Sequence, residues 1–231
     1  MTKIAILIVI ALIVVAGIYT ELQRSNNLAH AAKRMGLGFS AGLQPISADL
    51  SALEFDLLAQ GNREIANRMS GRQQDYRTDI FDYSYDATVA GEGFGAHPAA
   101  DDPVNMERRN QTVIRLRSAT LFADFDVSPA RSHQRQVAAR FGFSPLFFEE
   151  ERVFSQAYHL LARDGVRCRM LFNPEVRAFL LNHPGLVVEG RGHDLLFYRF
   201  GQRLKAKELP AFLQEAQELA RLFERALTAA D

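Results

Sequence analysis

The chain has no tryptophan, a single cysteine at Cys168 and, among its many basic residues, only four lysines, Lys3, Lys33, Lys205 and Lys207. One thiol closes no intramolecular disulfide, so a disulfide-stapled scaffold is excluded and nothing points to an oxidising compartment. Excess charge is lacking as well, because Lys+Arg and Asp+Glu number 27 each. Nucleic-acid binders and polybasic lipid readers carry a surplus of positive charge, so neither class fits as the main function, and no nucleic-acid partner is expected. Local basic patches stay open. The histidines His30, His97, His133, His159, His183 and His193 show no H-E-x-x-H spacing, so no metal or cofactor is expected.

What the chain has in plenty is apolar sequence near its start. Ile4 to Tyr19 is an unbroken apolar run without a charge. At ~1.5 Å per helical residue, the run and its flanks reach roughly the ~30 Å of a hydrocarbon core. A signal peptide has a shorter apolar core of ~7–15 residues followed by a small-residue cleavage box. Here the only box-like trio, Val14-Val15-Ala16, lies inside the run, which favours an uncleaved anchor over residues 1–20. The bilayer is thus the first expected partner, through residues 4–19. Arg24, Lys33 and Arg34 follow the run, against Lys3 and the amino terminus before it, so the bias of positive charge places the remainder in the cytoplasm.

Residues 21–52 read as a juxtamembrane helix, Glu21 to Met35, and a linker broken by Gly36, Gly38, Gly42 and Pro45. Residues 53–231 read as one soluble α+β domain that folds without the anchor, opening with a helical turn at Leu53–Leu58. From Glu64 to Val127 the period is two. Ile65, Asn67 and Met69 share a face, as do Phe81, Tyr83 and Tyr85. Thr112, Ile114 and Leu116 share another, as do Leu121, Ala123, Phe125 and Val127. Such alternation predicts an antiparallel sheet with one wet face. Thr88 to Arg109, rich in Gly, Ala, Asp and Pro, predicts a long loop.

The second half alternates helix and strand. Ser128-Pro129 predicts a helix to about Phe141, Ala157–Arg163 a strand, and Asn173-Pro174-Glu175 a helix start stopped at Asn182-His183-Pro184-Gly185. Leu186–Glu189 and Leu195–Phe200 predict a hairpin joined by Gly190–Asp194. Leu209, Phe212, Leu213, Ala216, Leu219, Ala220, Phe223, Ala226 and Leu227 recur at three and four, giving a long amphipathic C-terminal helix that packs on the sheet.

Ile80-Phe81-Asp82-Tyr83-Ser84-Tyr85, Gln111-Thr112-Val113, Leu171-Phe172-Asn173-Pro174 and Val188-Glu189-Gly190-Arg191-Gly192 with Leu195–Arg199 resemble a family of uncharacterised bacterial proteins. Its members have a short N-terminal transmembrane helix and one soluble domain. The resemblance implies that architecture and supplies no catalytic residues.

Gly38-Phe39-Ser40-Ala41-Gly42 matches the G-x-S-x-G nucleophile elbow, and Asp164 or Asp194 with His183 or His193 follow in the chain order of a hydrolase triad. The elbow needs a strand leading into the serine and a helix leaving it, and neither is read around Ser40. Gly91–Gly95 resembles a phosphate loop but has no helix start after it. Arg115 and Arg117 on one strand face Asp124 and Asp126 on the next, predicting a cross-strand ladder of solvated pairs. Cys168 reads as a buried small hydrophobe, and Tyr83, Tyr85, Phe197 and Tyr198 as core aromatics. The chain therefore reads as a membrane-anchored, non-enzymatic module for an unknown protein partner. The alternative is a membrane-bound serine hydrolase using Ser40.

Overall fold

A computed structural model describes residues 2–59, 61–88, 106–130 and 142–229. The fold is α+β, with a long apolar N-terminal helix, an antiparallel sheet and a C-terminal helix. Helix α1 (Thr2–Arg34) runs unbroken from the apolar segment into polar sequence and is long and apolar enough to cross a membrane. Strands β1 (Gly38–Gln44), β2 (Gly61–Gln73), β3 (Tyr76–Thr88) and β4 (Met106–Arg117) follow. The short helix α2 (Ala48–Ser51) and a 3-10 turn (Leu57–Ala59) lie between the first two strands. Then come β5 (Phe125–Pro129), β6 (Ser144–Leu146), α3 (Arg152–Ala157), β7 (Tyr158–Ala162), α4 (Gly165–Leu171) and α5 (Pro174–Asn182). The chain closes with β8 (Leu186–Arg191), β9 (Asp194–Arg199) and α6 (Leu209–Thr228). The strands form a single sheet in the order β1-β2-β3-β4-β9-β8-β5-β7-β6.

Local chemistry explains the helix starts. Asp164 accepts from the N–H groups of Val166 and Arg167 to open α4, and Asn173 accepts from that of Val176 to open α5, with Pro174 in the first turn. The apolar stripe of α6 buries Leu209, Phe212, Ala216, Leu219, Ala220 and Phe223 among Ile114, Leu116, Phe125, Val127, Val188 and Phe197. Gly190 faces Phe125 across β8 and β5, and a Cβ there would collide with that ring. Small side chains set a second close approach, where Ala31 and Ala32 on α1 are buried with Leu28 in the same core.

Both sheet faces are covered, which corrects the expected single wet face. Phe81, Tyr83, Tyr85, Val113, Val187, Leu196 and Tyr198 lie under the strap 46–59, which contributes Leu50, Phe55, Leu57 and Leu58. Fully burying each such side chain contributes roughly 1.5–3 kcal/mol, enough to hold a segment with little regular structure. Within the strap the expected helical turn at Leu53–Leu58 is a 3-10 turn at Leu57–Ala59, and β2 begins at Gly61.

Other differences have identifiable causes. The linker after Met35 contains β1, an edge strand paired with β2 whose backbone bonds replace any periodic signal. Ile65 and Met69 lie on opposite sheet faces because a bulge between Ala66 and Met69 puts Asn67 at φ 52° and flips the alternation. Met106–Arg109 belong to β4, shortening the expected loop, and Gly91–Gly95 lies outside the described residues. Strand β5 begins only at Phe125, leaving Leu121 exposed and Phe122 buried. Ser128 and Pro129 end β5 opposite His159 and Tyr158 and do not start a helix, while the rest of that expected helix, 131–141, lies outside the described residues. The β8–β9 hairpin is tighter than expected, with Arg191 opposite Asp194 across a Gly192-His193 turn.

Since α1 and β1 are built onto the sheet, the boundary at Leu53 has a testable consequence. A fragment of residues 53–231 lacks an edge strand and uncovers Met69 and Asp82, whereas residues 20–231 keep both partners. Circular dichroism and gel filtration should show the longer fragment monomeric with mixed helix and strand, and the shorter one aggregated. Equal behaviour of the two would support a boundary at Leu53.

Candidate functional site

Where α1 leaves its apolar segment, it meets the sheet through a charged latch. Asp82, on β3, is 5% exposed. Its Oδ1 accepts from Arg24 Nη2 at 2.6 Å and its Oδ2 from Arg24 Nε at 3.0 Å, the two-pronged geometry at which arginine binds carboxylate best. Arg203 Nη2 donates to the same Oδ2 at 3.2 Å, and Asn67 Nδ2 at 3.1 Å from the β2 bulge. Arg203 also grips Glu21, with Nη1 at 2.5 Å from Oε1 and Nη2 at 2.8 Å from Oε2. Arg24 Nη1 donates to the Leu204 carbonyl at 2.9 Å. Burial pushes the Asp82 carboxyl up, but Arg24 and Arg203 outweigh it and hold the group below its ordinary value. Glu21 is lowered chiefly by its hydrogen bonds from Arg203. The latch joins α1 at residues 21 and 24, β2, β3 and the segment after β9.

A second polar centre lies under the strap. Glu189, 1% exposed on β8, accepts from the Asp56 N–H at 2.6 Å, the Leu57 N–H at 3.1 Å and the Tyr198 hydroxyl at 2.7 Å. Tyr83 donates its hydroxyl to the Leu57 carbonyl at 2.8 Å. Asp126 stands opposite Glu189 across β5 and β8. Arg191 Nη2 donates to Asp126 Oδ2 at 3.0 Å, Nη1 donates to the Phe125 and Gly190 carbonyls, and the guanidinium stacks 4.3 Å from the Phe143 ring centre. Asp126 thus holds the Arg191 guanidinium, while Glu189 is held by two backbone N–H groups and a hydroxyl. Burial and then Glu189 push the Asp126 carboxyl up to about 7, and burial likewise raises Glu189.

The expected ladder of Arg115 and Arg117 against Asp124 and Asp126 does not form. The β8–β9 hairpin inserts between β4 and β5, so those residues never become neighbours. Arg115, 3% exposed, instead pairs with Asp194 at 2.8 Å, Asp49 at 3.4 Å and Asp79 at 3.8 Å, and Asp79 also takes Arg68 at 2.8 Å. Arg117 approaches Asp194 at 3.7 Å, and Asp124 pairs with Arg163 at 3.0 Å. Two acids of the strap take part, Asp49 with Arg115 and Glu54 with Arg163.

Ser40 sits exposed on the edge strand β1, paired with Arg68 of β2. Four strand steps separate β1 from β9, roughly 19 Å at ~4.8 Å per step. At that far end the His193 ring lies 3.0 Å from the Thr120 carbonyl, and Asp194 is engaged by Arg115. His183 stacks on Phe179 at the end of α5, and Asp164 caps α4. The structure brings none of these to Ser40. Tyr83, Tyr85 and Tyr198 line the strap face, whereas Phe197 points to the helical core. Cys168 is fully buried on α4, and burial raises its thiol far above the usual range. His97 and His133 lie outside the described residues, and among those described no cluster of three or more His, Cys, Asp or Glu is spaced to hold a metal.

Sequence reasoning passed over Asp82, Arg24, Arg203, Glu189 and Arg191. The available signal was charge inside apolar strands, Asp82 in Ile80–Tyr85 and Glu189 with Arg191 in Leu186–Arg191.

No family model matches the chain, and no curated protein matches its sequence. Among solved structures it is similar to the crystal structure of the mycobacterial trehalose monomycolate transport factor A, with a TM-score of 0.53 and 12% identity over 88% of this chain and 93% of that one. The likeness is one of fold.

Proposed function

We propose that the chain is a single-pass, membrane-anchored, non-enzymatic interaction module, its sheet domain on the cytoplasmic side and its N-terminus outside. The observation that carries this reading is the continuity of α1. Its apolar half, Ile4 to Tyr19, is exposed wherever it is described, and its polar half is buried at Leu28, Ala31 and Ala32 and latched at Arg24. A helix that offers apolar side chains to its surroundings at one end and docks at the other mounts the domain at a set angle to the bilayer. A protein partner would then meet the domain in one orientation. The similar fold in a transport factor supports the class of binding module over that of hydrolase.

Two measurements test the reading. C-terminal fusions should give fluorescence from a reporter that matures only in the cytoplasm, and no activity from one that folds only in the periplasm; the opposite pattern reverses the sidedness. Ser40→Ala should leave labelling by a fluorophosphonate probe unchanged, because Ser40 lies exposed on an edge strand opposite Arg68 and, among the described residues, neither His183 nor His193 is brought to it. Loss of labelling on that substitution would restore the hydrolase.

A further inference from the structure

Beside the polar half of α1 runs a groove of about 450 Å³, lined by Asn27, His30 and Arg34 of the helix and by Lys205, Ala206 and Lys207 of the segment before α6. Resting on the membrane anchorage proposed above, we infer that this groove binds the phosphate-bearing headgroup of an anionic lipid from the bilayer that α1 enters.

Three features support the assignment. Nine arginines, Arg24, Arg68, Arg108, Arg115, Arg163, Arg177, Arg191, Arg199 and Arg203, each hold a carboxylate, and the cations of the groove are among those left available. Among the described residues, Lys33, Arg34, Lys205 and Lys207 have no carboxylate oxygen within 4.0 Å in any ion pair. Glu208, the acid nearest in sequence, turns its carboxylate to the Lys205 backbone N–H at 2.7 Å. Lys33 and Arg34 also answer the dipole at the end of α1, but the two loop lysines have no such reason to be there.

The second feature is the choice of cation. Only four of the 27 basic residues are lysines, and Lys33, Lys205 and Lys207 all stand at this groove or on the turn of α1 beside it. An ammonium on a flexible stem is a point charge suited to a phosphate that arrives in variable poses, where arginine favours fixed planar pairs.

Position is the third. Asn27 lies eight residues beyond Tyr19, ~12 Å along the helix axis. The headgroup layer extends only about 5–8 Å past the hydrocarbon core. The segment that carries Lys205 is tied to α1 at Arg24, three residues nearer the span than Asn27, through the Leu204 carbonyl, and a lysine stem can lean back toward the surface. A headgroup drawn up to Lys205 enters the groove while its chains remain in the bilayer. The volume suits such a group, since small-molecule sites run from roughly 300 to 1,000 Å³.

The test uses the full chain in phosphatidylcholine nanodiscs with and without phosphatidylglycerol, followed by mild detergent extraction and native mass spectrometry of retained lipid. The wild type should retain phosphatidylglycerol in preference to phosphatidylcholine. Lys205→Gln with Lys207→Gln, both on an exposed segment, should cut that preference roughly tenfold, as expected for removing two surface cations facing anionic lipid. Arg152→Gln, an exposed cation far along the chain, should not change it. Equal retention of both lipids, or an unchanged preference in the double variant, overturns the assignment. Displacement of the lipid by millimolar inorganic phosphate overturns it too, in favour of a soluble anion. Flotation with vesicles of phosphatidylcholine alone reports the anchor separately, so failure of the groove and failure of the anchor give different results.

Discussion

Replacing Asp82 with alanine should loosen α1 from the sheet and lower stability by about 2–4 kcal/mol, near the lower end of what breaking a buried ion pair costs. The carboxylate is 5% exposed, while its arginines retain 17% and 28% of their side-chain exposure, so water offsets part of the loss. What remains is an Arg24 guanidinium whose Nε and Nη2 lose their acceptor and an Arg203 left with Glu21. Arg108→Ala, which breaks surface pairs to Glu64 and Asp86, should by contrast cost no more than about 1 kcal/mol. Thermal melting in detergent reads both. An acid limb follows from the same residue. Because the folded-state carboxyl of Asp82 is held below its unfolded value, its stabilisation is present above pH ~4 and is lost as pH falls through the lowered folded value. A melting point for Asp82→Ala equal to the wild type would show that the latch is ornamental.

The pair beneath the strap should produce a slope of opposite sign. Asp126 is raised from 3.8 to about 7, so the folded state binds more protons than the unfolded chain between those values. Its contribution to stability is therefore complete below pH ~4 and is lost as pH rises through about 7, a change on the order of 2–4 kcal/mol. Asp126→Asn, which keeps the shape and removes the titration, should flatten the melting temperature between pH 5 and pH 8. Glu189→Ala should be worse at every pH, by about 3 kcal/mol or more, since the N–H groups of Asp56 and Leu57 and the Tyr198 hydroxyl would lose their acceptor in the interior. A wild-type profile already flat from pH 5 to 8, or unchanged in Asp126→Asn, would contradict the arrangement of two buried carboxylates facing each other across β5 and β8.

The elements that write a period into the sequence were legible. The apolar stripe of α6, the Asn173-Pro174 start of α5 and the alternation of Phe81, Tyr83 and Tyr85 all led to the elements observed. Pairing was not legible, because a strand partner is a long-range choice that leaves no local mark. Strand β1 hides in a glycine-containing stretch since its order comes from β2, and the bulge at Asn67 reverses a face that strict alternation keeps constant. The same blindness produced the ladder from Arg115 to Asp126, which required β4 and β5 to be adjacent. The polar centres were hidden for a related reason. Asp82 meets Arg24 and Arg203, 58 and 121 residues away, and only the folded sheet brings those charges together.

The rigid mounting of the sheet domain on α1 is most directly tested by a distance between them. Spin labels at Gln23→Cys on α1 and Glu218→Cys on α6, both exposed, can be read by double electron–electron resonance in the full chain in nanodiscs, where the buried Cys168 stays unlabelled. A single narrow distance distribution in the wild-type background, broadened by Asp82→Ala, is the expected result. A broad or multimodal distribution without the substitution would mean that the domain swings freely on its helix.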